Sequence, residues 1–172
     1  MELLLFYIFG GVAVLASLGL VTGKNPVHSA LFMVVVFFVM AALFVLLGAE
    51  FLAAAQILVY AGAIMVLFLF VIMLLRLQPE ELRNTGRQGF QKFLGVVLGL
   101  VLIIQVALIV RGGLFKGTQG NFTPEAVSGF GGNTEAVAAV LFTDYLFPFE
   151  LTSAILLMAM VGAVVLTKKE LK

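Results

Sequence analysis

The stretch from Val27 to Leu75 decides most of what this chain can become. It holds 49 residues, and apart from His28, Glu50 and Gln56 it carries no strongly polar side chain. A helix crossing a bilayer core of about 30 Å needs roughly 20 residues at about 1.5 Å each. The stretch is about twice that length, so the chain must reverse within it. Leu47-Gly48-Ala49-Glu50, where a glycine and a charge stand together, is the place for the reversal. The remainder, Phe51 to Leu75, is 25 residues. As a helix it is about 37 Å long, enough to cross with some left for tilt or a local irregularity.

Composition agrees and narrows the function. The chain has 172 residues, 63% hydrophobic and 11% charged, where soluble domains carry about 25% charged residues. Most of it must therefore face lipid or other buried helices. There is no cysteine, hence no thiolate for an iron–sulfur cluster and no thiol nucleophile. One histidine does not make a haem or metal site. A net charge of +1 argues against nucleic acid as a partner.

Five spans follow from the hydropathy pattern, at about residues 3–21, 27–48, 51–75, 93–110 and 147–167. Only Glu2 is charged ahead of the first span, and its apolar run is too long for a cleaved signal core, so it reads as a retained helix. Asn25-Pro26 suits an N-cap followed by a first helical position. Arg76 to Lys92 is a basic polar loop that Pro79 opens, and it reads as solvated unless anionic lipid or a peripheral subunit meets it. Gly95 and Gly99 form a GxxxG pair in the fourth span. Seven glycines between Gly112 and Gly132 mark a loop that stays mobile unless a partner covers it. Asn133 or Thr134 suits the cap of a short helix with Val137, Val140 and Leu141 on one face, which Pro148 ends. The fold class is thus all-α: a polytopic membrane protein with five transmembrane helices, a short amphipathic helix before the last, and one transmembrane domain over residues 1–172.

With five spans, Lys24, the Arg76–Lys92 loop and the basic tail share one side and hold eight of the ten Lys and Arg residues. The positive-inside rule then puts the C-terminus in the cytoplasm and the N-terminus outside. No internal repeat supports an inverted-repeat transporter.

Few residues are candidates for chemistry. Glu50 reads either as a wet glutamate at a hairpin turn or, being ionisable beside a span, as the mark of an ion path. Tyr60-Ala61-Gly62-Ala63 sets a phenol among small residues deep inside the third span. Such residues suit close helix packing, with the phenol bonded to a neighbour. Gly62 also weakens the helix locally and eases a distortion such as a π-bulge. His28 reads as an interfacial residue, Gln56 and Gln105 as hydrogen-bonding groups toward neighbouring helices, and the phenylalanines of spans two and three as packing or lipid-facing surface. No nucleotide loop, catalytic triad or carboxylate pair within a span is present.

Three blocks carry a family resemblance. VYAGAIMVLFLFVIML, Val59 to Leu74, resembles the third transmembrane helix of the J-type subunits of NADH-quinone oxidoreductase, respiratory complex I, whose mitochondrial counterparts are NADH dehydrogenase subunits 6. Asn25-Pro26-Val27-His28-Ser29-Ala30-Leu31 resembles the start of that family's second helix. Leu141-Phe142-Thr143-Asp144-Tyr145-Leu146-Phe147-Pro148-Phe149-Glu150, running into LTSAILLMAMVGAVVL, resembles its last helix. The blocks cover about half of the chain, in the family's order and spacing.

The resemblance implies a non-catalytic membrane subunit of a proton-translocating enzyme in a bacterial inner membrane. FMN, iron–sulfur clusters and a quinone belong to other subunits, and this chain holds no cofactor of its own. The implied neighbours are the quinone-site membrane subunit and the small A-type and K-type subunits. The third helix is implied to carry a π-bulge that forms and relaxes during turnover. Tyr60 and Gly62 stand at the pivot of this gate, with Glu50 on or near the proton path. Sodium–proton antiporters of several subunits and membrane-bound hydrogenases contain similar helices, so a subunit of either is the alternative. A small free-standing channel or transporter is another, although repeats and paired intramembrane charges are missing.

Overall fold

The computed structural model describes residues 1–75, 88–112, 120 and 122–168. Residues 76–87 of the basic loop and residues 113–119 and 121 of the glycine-rich loop lie outside the described residues, as do the expectations placed on them, whereas residues 88–92, read from the sequence as the end of the basic loop, are the helical start of the fourth long helix. Among the described residues every regular element is helical. Five helices are long and apolar enough to cross a membrane, as the fold class requires.

Within residues 1–123, α1 (Glu2–Thr22) and α2 (Pro26–Leu46) form a hairpin. Its turn is built by short-range polar chemistry. The Thr22 hydroxyl donates to the Leu18 carbonyl at 2.7 Å, so this polar side chain is satisfied at the end of α1. The Gly23 N–H donates to the Gly19 carbonyl at 3.0 Å. Asn25 caps α2, its side chain accepting from the Val27 N–H at 2.9 Å, and Pro26 occupies the first helical position, where its missing N–H is not needed.

The next reversal is a Schellman motif. Gly48 adopts φ 68°, the Ala49 N–H donates to the Phe44 carbonyl at 2.9 Å, and the Gly48 N–H donates to that of Val45 at 3.0 Å. The third span comes next as α3 (Glu50–Ala55), a π-helical segment (Gln56–Ile64) and α4 (Met65–Leu75). It packs along α2 around Ala30, Met65 and Ile72, with Met33, Val34, Phe37 and Leu69 against them. α5 (Gln88–Arg111) buries no side chain from Phe93 onward. Nothing among the described residues stands where a Cβ on Gly95 or Gly99 would go, so this GxxxG face is open.

Residues 124–172 form a second unit. It holds α6 (Pro124–Gly129), α7 (Asn133–Phe142) and α8 (Leu146–Thr167). α6 lies inside what the sequence reads as loop. Two expectations are corrected here. Neither Asn133 nor Thr134 caps α7: the cap is Gly132 at φ 139°, and the helix begins at Asn133. Glycine tolerates that backbone, and the Glu135 carboxylate lies beside it, as at the N3 position of a capping box. Pro148 does not end α7 but sits in the first turn of α8, where a proline withdraws no helical hydrogen bond. α7 instead stops at a turn in which the Tyr145 N–H donates to the Val140 carbonyl at 3.1 Å. Phe142 and Phe149 clasp the two helices edge to face, with centroids 4.9 Å apart.

Gly23 is the tightest point of the first hairpin. A Cβ there would run into the Ser29 hydroxyl and stand 3.0 Å from the Gly19 carbonyl. The serine can rotate away and the backbone carbonyl cannot. Gly23→Ala therefore destabilises the chain by about 1–3 kcal/mol, as overpacking does. Unfolding by sodium dodecyl sulfate in mixed micelles measures it, and adding Ser29→Ala recovers only part of the loss.

Candidate functional site

The third span departs from an α-helix at its centre. The Met65 N–H, which closes the π segment, points at the carbonyls of Tyr60 and Gly62. The bond to Tyr60 spans five residues, the π pattern, where an α-helix spans four. At the other end the Gln56 N–H reaches Ala53 and Leu52, so the geometry there is α-like or tighter.

Burial shows what the extra residue does. The side facing α2 reads Ala53, Gln56, Ala61, Met65, Leu69 and Ile72. The steps are three, five, four, four and three. An α-helix keeps one face with steps of three or four only. The step of five, from Gln56 to Ala61, lies inside the π segment and keeps both halves of the span turned toward α2. Closing the π turn to α would rotate everything beyond it by about 100°. Tyr60, Ile64, Phe68 and Val71 would then take the places of Ala61, Met65, Leu69 and Ile72.

Gly62 sits where the widened turn leaves least room. A Cβ on it would be 3.3 Å from the Ile57 carbonyl, five residues back. Tyr60 is 47% exposed. Its ring meets Phe37 of α2 edge to face, with centroids 5.5 Å apart and planes at 61°. Among the described residues its hydroxyl has no hydrogen-bond partner, so an aromatic contact holds the phenol where the sequence suggests a hydrogen bond. Gln56, only 6% exposed, is the buried polar side chain of this region and opens the π segment. Its amide is not bonded to any described side chain.

Glu50 is placed apart from these. It lies in the first turn of α3, exposed, where the helix dipole favours a carboxylate. Ten residues separate it from Tyr60, about 15 Å along the axis. Tyr60 and Gly62 thus share one turn, while Glu50 stands exposed at the start of the same span. Among the described residues no three His, Asp or Glu side chains gather as metal ligands would. Sequence reading had no reason to pick Phe37 from a row of phenylalanines, or Gln56 as the start of the irregular turn.

The Phe37–Tyr60 pair is measurable. A double-mutant cycle with Phe37→Leu and Tyr60→Leu should give a coupling of about 0.5–1.5 kcal/mol beyond simple area loss. Tyr60→Phe, which keeps the ring, should retain most of the stability. Unfolding in mixed micelles reads both.

Comparison with known proteins places these features in a family. The NADH-ubiquinone/plastoquinone oxidoreductase chain 6 family matches residues 16–166. NADH-quinone oxidoreductase subunit J of Rhodobacter capsulatus is 41% identical over 166 residues, covering 94% of this chain and 79% of that protein. NADH-ubiquinone oxidoreductase chain 6 of Marchantia polymorpha is 36% identical, covering 96% and 86%. Subunit J of Rickettsia typhi is 34% identical, covering 96% and 80%. The matched region includes the whole third span with its π turn, and the chain belongs to the NADH-ubiquinone/plastoquinone oxidoreductase chain 6 family.

Proposed function

We propose that this chain is a membrane subunit of NADH-quinone oxidoreductase, respiratory complex I, and that its third span couples quinone reduction to proton translocation. Family membership supports the first part. The observation that carries the second is the π turn between Gln56 and Ile64, with its step of five residues in the face turned to α2. An irregular helix in lipid keeps its backbone bonded in either form, so π and α are both admissible states of this span.

In the π state Ala61 lies against α2 and Tyr60 is held by Phe37. In the α state the phenol swings into the place of Ala61, and α4 turns with it. Gln56, at the fixed end of the turn, offers a buried amide to water. The shift thus opens or closes a polar route through the span, with Glu50 receiving or releasing protons at its water-facing end. The chain itself carries no electrons. FMN, iron–sulfur clusters and the quinone belong to other subunits, and the open faces of α5 and α8 suit the quinone-site, A-type and K-type membrane subunits. The charge asymmetry supports a bacterial inner-membrane topology with the N-terminus outside and the C-terminus in the cytoplasm.

Two measurements test this. On a native gel of mildly solubilised membranes, the chain should migrate with NADH-oxidising activity in a particle far larger than its own 18.4 kDa; migration as a small inactive particle sinks the subunit reading. In assembled complexes, Gly62→Val presses a branched side chain on the Ile57 carbonyl and biases the turn. NADH oxidation by an artificial acceptor should stay unchanged, while proton pumping falls several-fold. Unchanged pumping in a fully assembled Gly62→Val complex removes the gate and leaves the subunit assignment standing.

A further inference from the structure

We propose that the groove on the α1–α2 hairpin is a binding site for an anionic phospholipid of the surrounding bilayer. The groove has a volume of about 530 Å³, and Lys24, Asn25, His28, Leu31, Phe32 and Val35 line it. Its polar residues all stand at one end, in the turn and first helical turn of α2. His28, Leu31, Phe32 and Val35 succeed one another at helical spacing, so the rest is a continuous apolar trough along one face. A headgroup in the polar end and an acyl chain in the trough match that division.

Charge selects the headgroup. Lys24 is exposed and, among the described residues, has no ion-pair partner. The carboxylates of the first three spans, Glu2 and Glu50, open α1 and α3. Each is therefore separated from Lys24 by the length of a 21-residue helix, about 30 Å. At that distance neither carboxylate can form an ion pair with Lys24. An exposed cation with no carboxylate near it among the described residues, at the rim of an apolar trough, favours a phosphate that carries net negative charge over a zwitterion. Asn25 and His28 add hydrogen-bond donors. The Asn25 side-chain oxygen is occupied by the Val27 N–H, which leaves its NH₂ group for a ligand.

The trough is shaped by a glycine. The Phe32 ring lies 3.0 Å from where a Cβ of Gly19 would stand. Without a side chain at Gly19 the ring settles onto α1 and leaves the groove open above it. A second groove, between α2 and α4, shows the contrast: Val27, Val66, Leu69, Phe70 and Met73 line it and no charged residue does. Any acyl chain fits there, and nothing selects a headgroup.

The test uses the intact complex in nanodiscs with photoactivatable phosphatidylglycerol or phosphatidylcholine, the labelled residues being located by mass spectrometry. Phosphatidylglycerol should label the 28–35 segment, and phosphatidylcholine should label it about fivefold less, the worth of one lysine near an anionic group. Lys24→Gln should abolish that preference, while Lys24→Arg and the control Lys168→Gln keep it. Equal labelling by both lipids, or a preference that survives Lys24→Gln, overturns the proposal. So does a 28–35 segment that no lipid labels because another subunit covers it. Should Lys24→Gln fail to assemble, the preference in the unmodified complex and in Lys24→Arg still decides.

Discussion

A backbone amide in hydrocarbon has no water to turn to, and every structural choice in this chain derives from that. It explains why the described elements are helices. It also explains why their ends are finished so carefully, by the Asn25 cap, the Schellman turn at Gly48 and the threonine hydroxyls at Thr22, Thr143 and Thr167, each bonded to a carbonyl one turn back. The same constraint leaves a helix in lipid with few ways to be irregular. Breaking hydrogen bonds is expensive, but lengthening their span from four residues to five keeps them. The π segment is the irregularity that the bilayer permits.

Packing obeys a second rule of the membrane. Lipid is as apolar as leucine, so burying large side chains between helices gains little, and close backbone approach gains more. Six of the nine buried hydrophobic residues among those described are alanines: Ala16, Ala30, Ala41, Ala53, Ala61 and Ala136. The exceptions are Val39, Ile72 and Met65, the last being the largest and only 1% exposed in the α2–α4 contact. The bulky residues turn outward, toward lipid or other subunits. In α5 the open face includes a GxxxG pair, the kind of surface on which a helix from another chain seats well.

The five membrane-length helices were legible in the sequence because length and hydropathy alone define them. The Asn25-Pro26 start was legible because capping needs only local chemistry. The corrections fall where neighbouring signals compete. At Gly132-Asn133 two good caps adjoin, and the glycine takes the position because its backbone reaches φ 139°. Pro148 reads as a stop signal but is equally content in a first helical turn. Gly62 hinted at a π turn, but its extent was hidden. Periodicity locates a helix face only when polar and apolar residues alternate, and from Phe51 to Leu75 nearly every residue is apolar. The step of five from Gln56 to Ala61 is visible only once the partner helix is in place. Phe37 was hidden for the same reason, as one phenylalanine among many.

That uniform apolarity is also what the proposed gate would draw on, because it limits the transfer cost of a second register of the third span. Exchanging Met65, Leu69 and Ile72 for Ile64, Phe68 and Val71 against α2 replaces apolar surface with apolar surface of similar size, so neither lipid nor transfer energy favours one set strongly. The registers differ chiefly at one place, where Ala61 gives way to Tyr60. There the smaller residue lets α2 approach, and the larger must either displace Phe37 or pack differently against it. If the proposed registers are close to balance, a modest force tips them, since a few kcal/mol moves a two-state element almost completely. In a span filled with alternating charges or a tightly keyed core the same shift would be forbidden. In this span the sequence sets no such bar, and its few features, Gln56, Tyr60 and Gly62, stand in the π segment where the proposed registers would part.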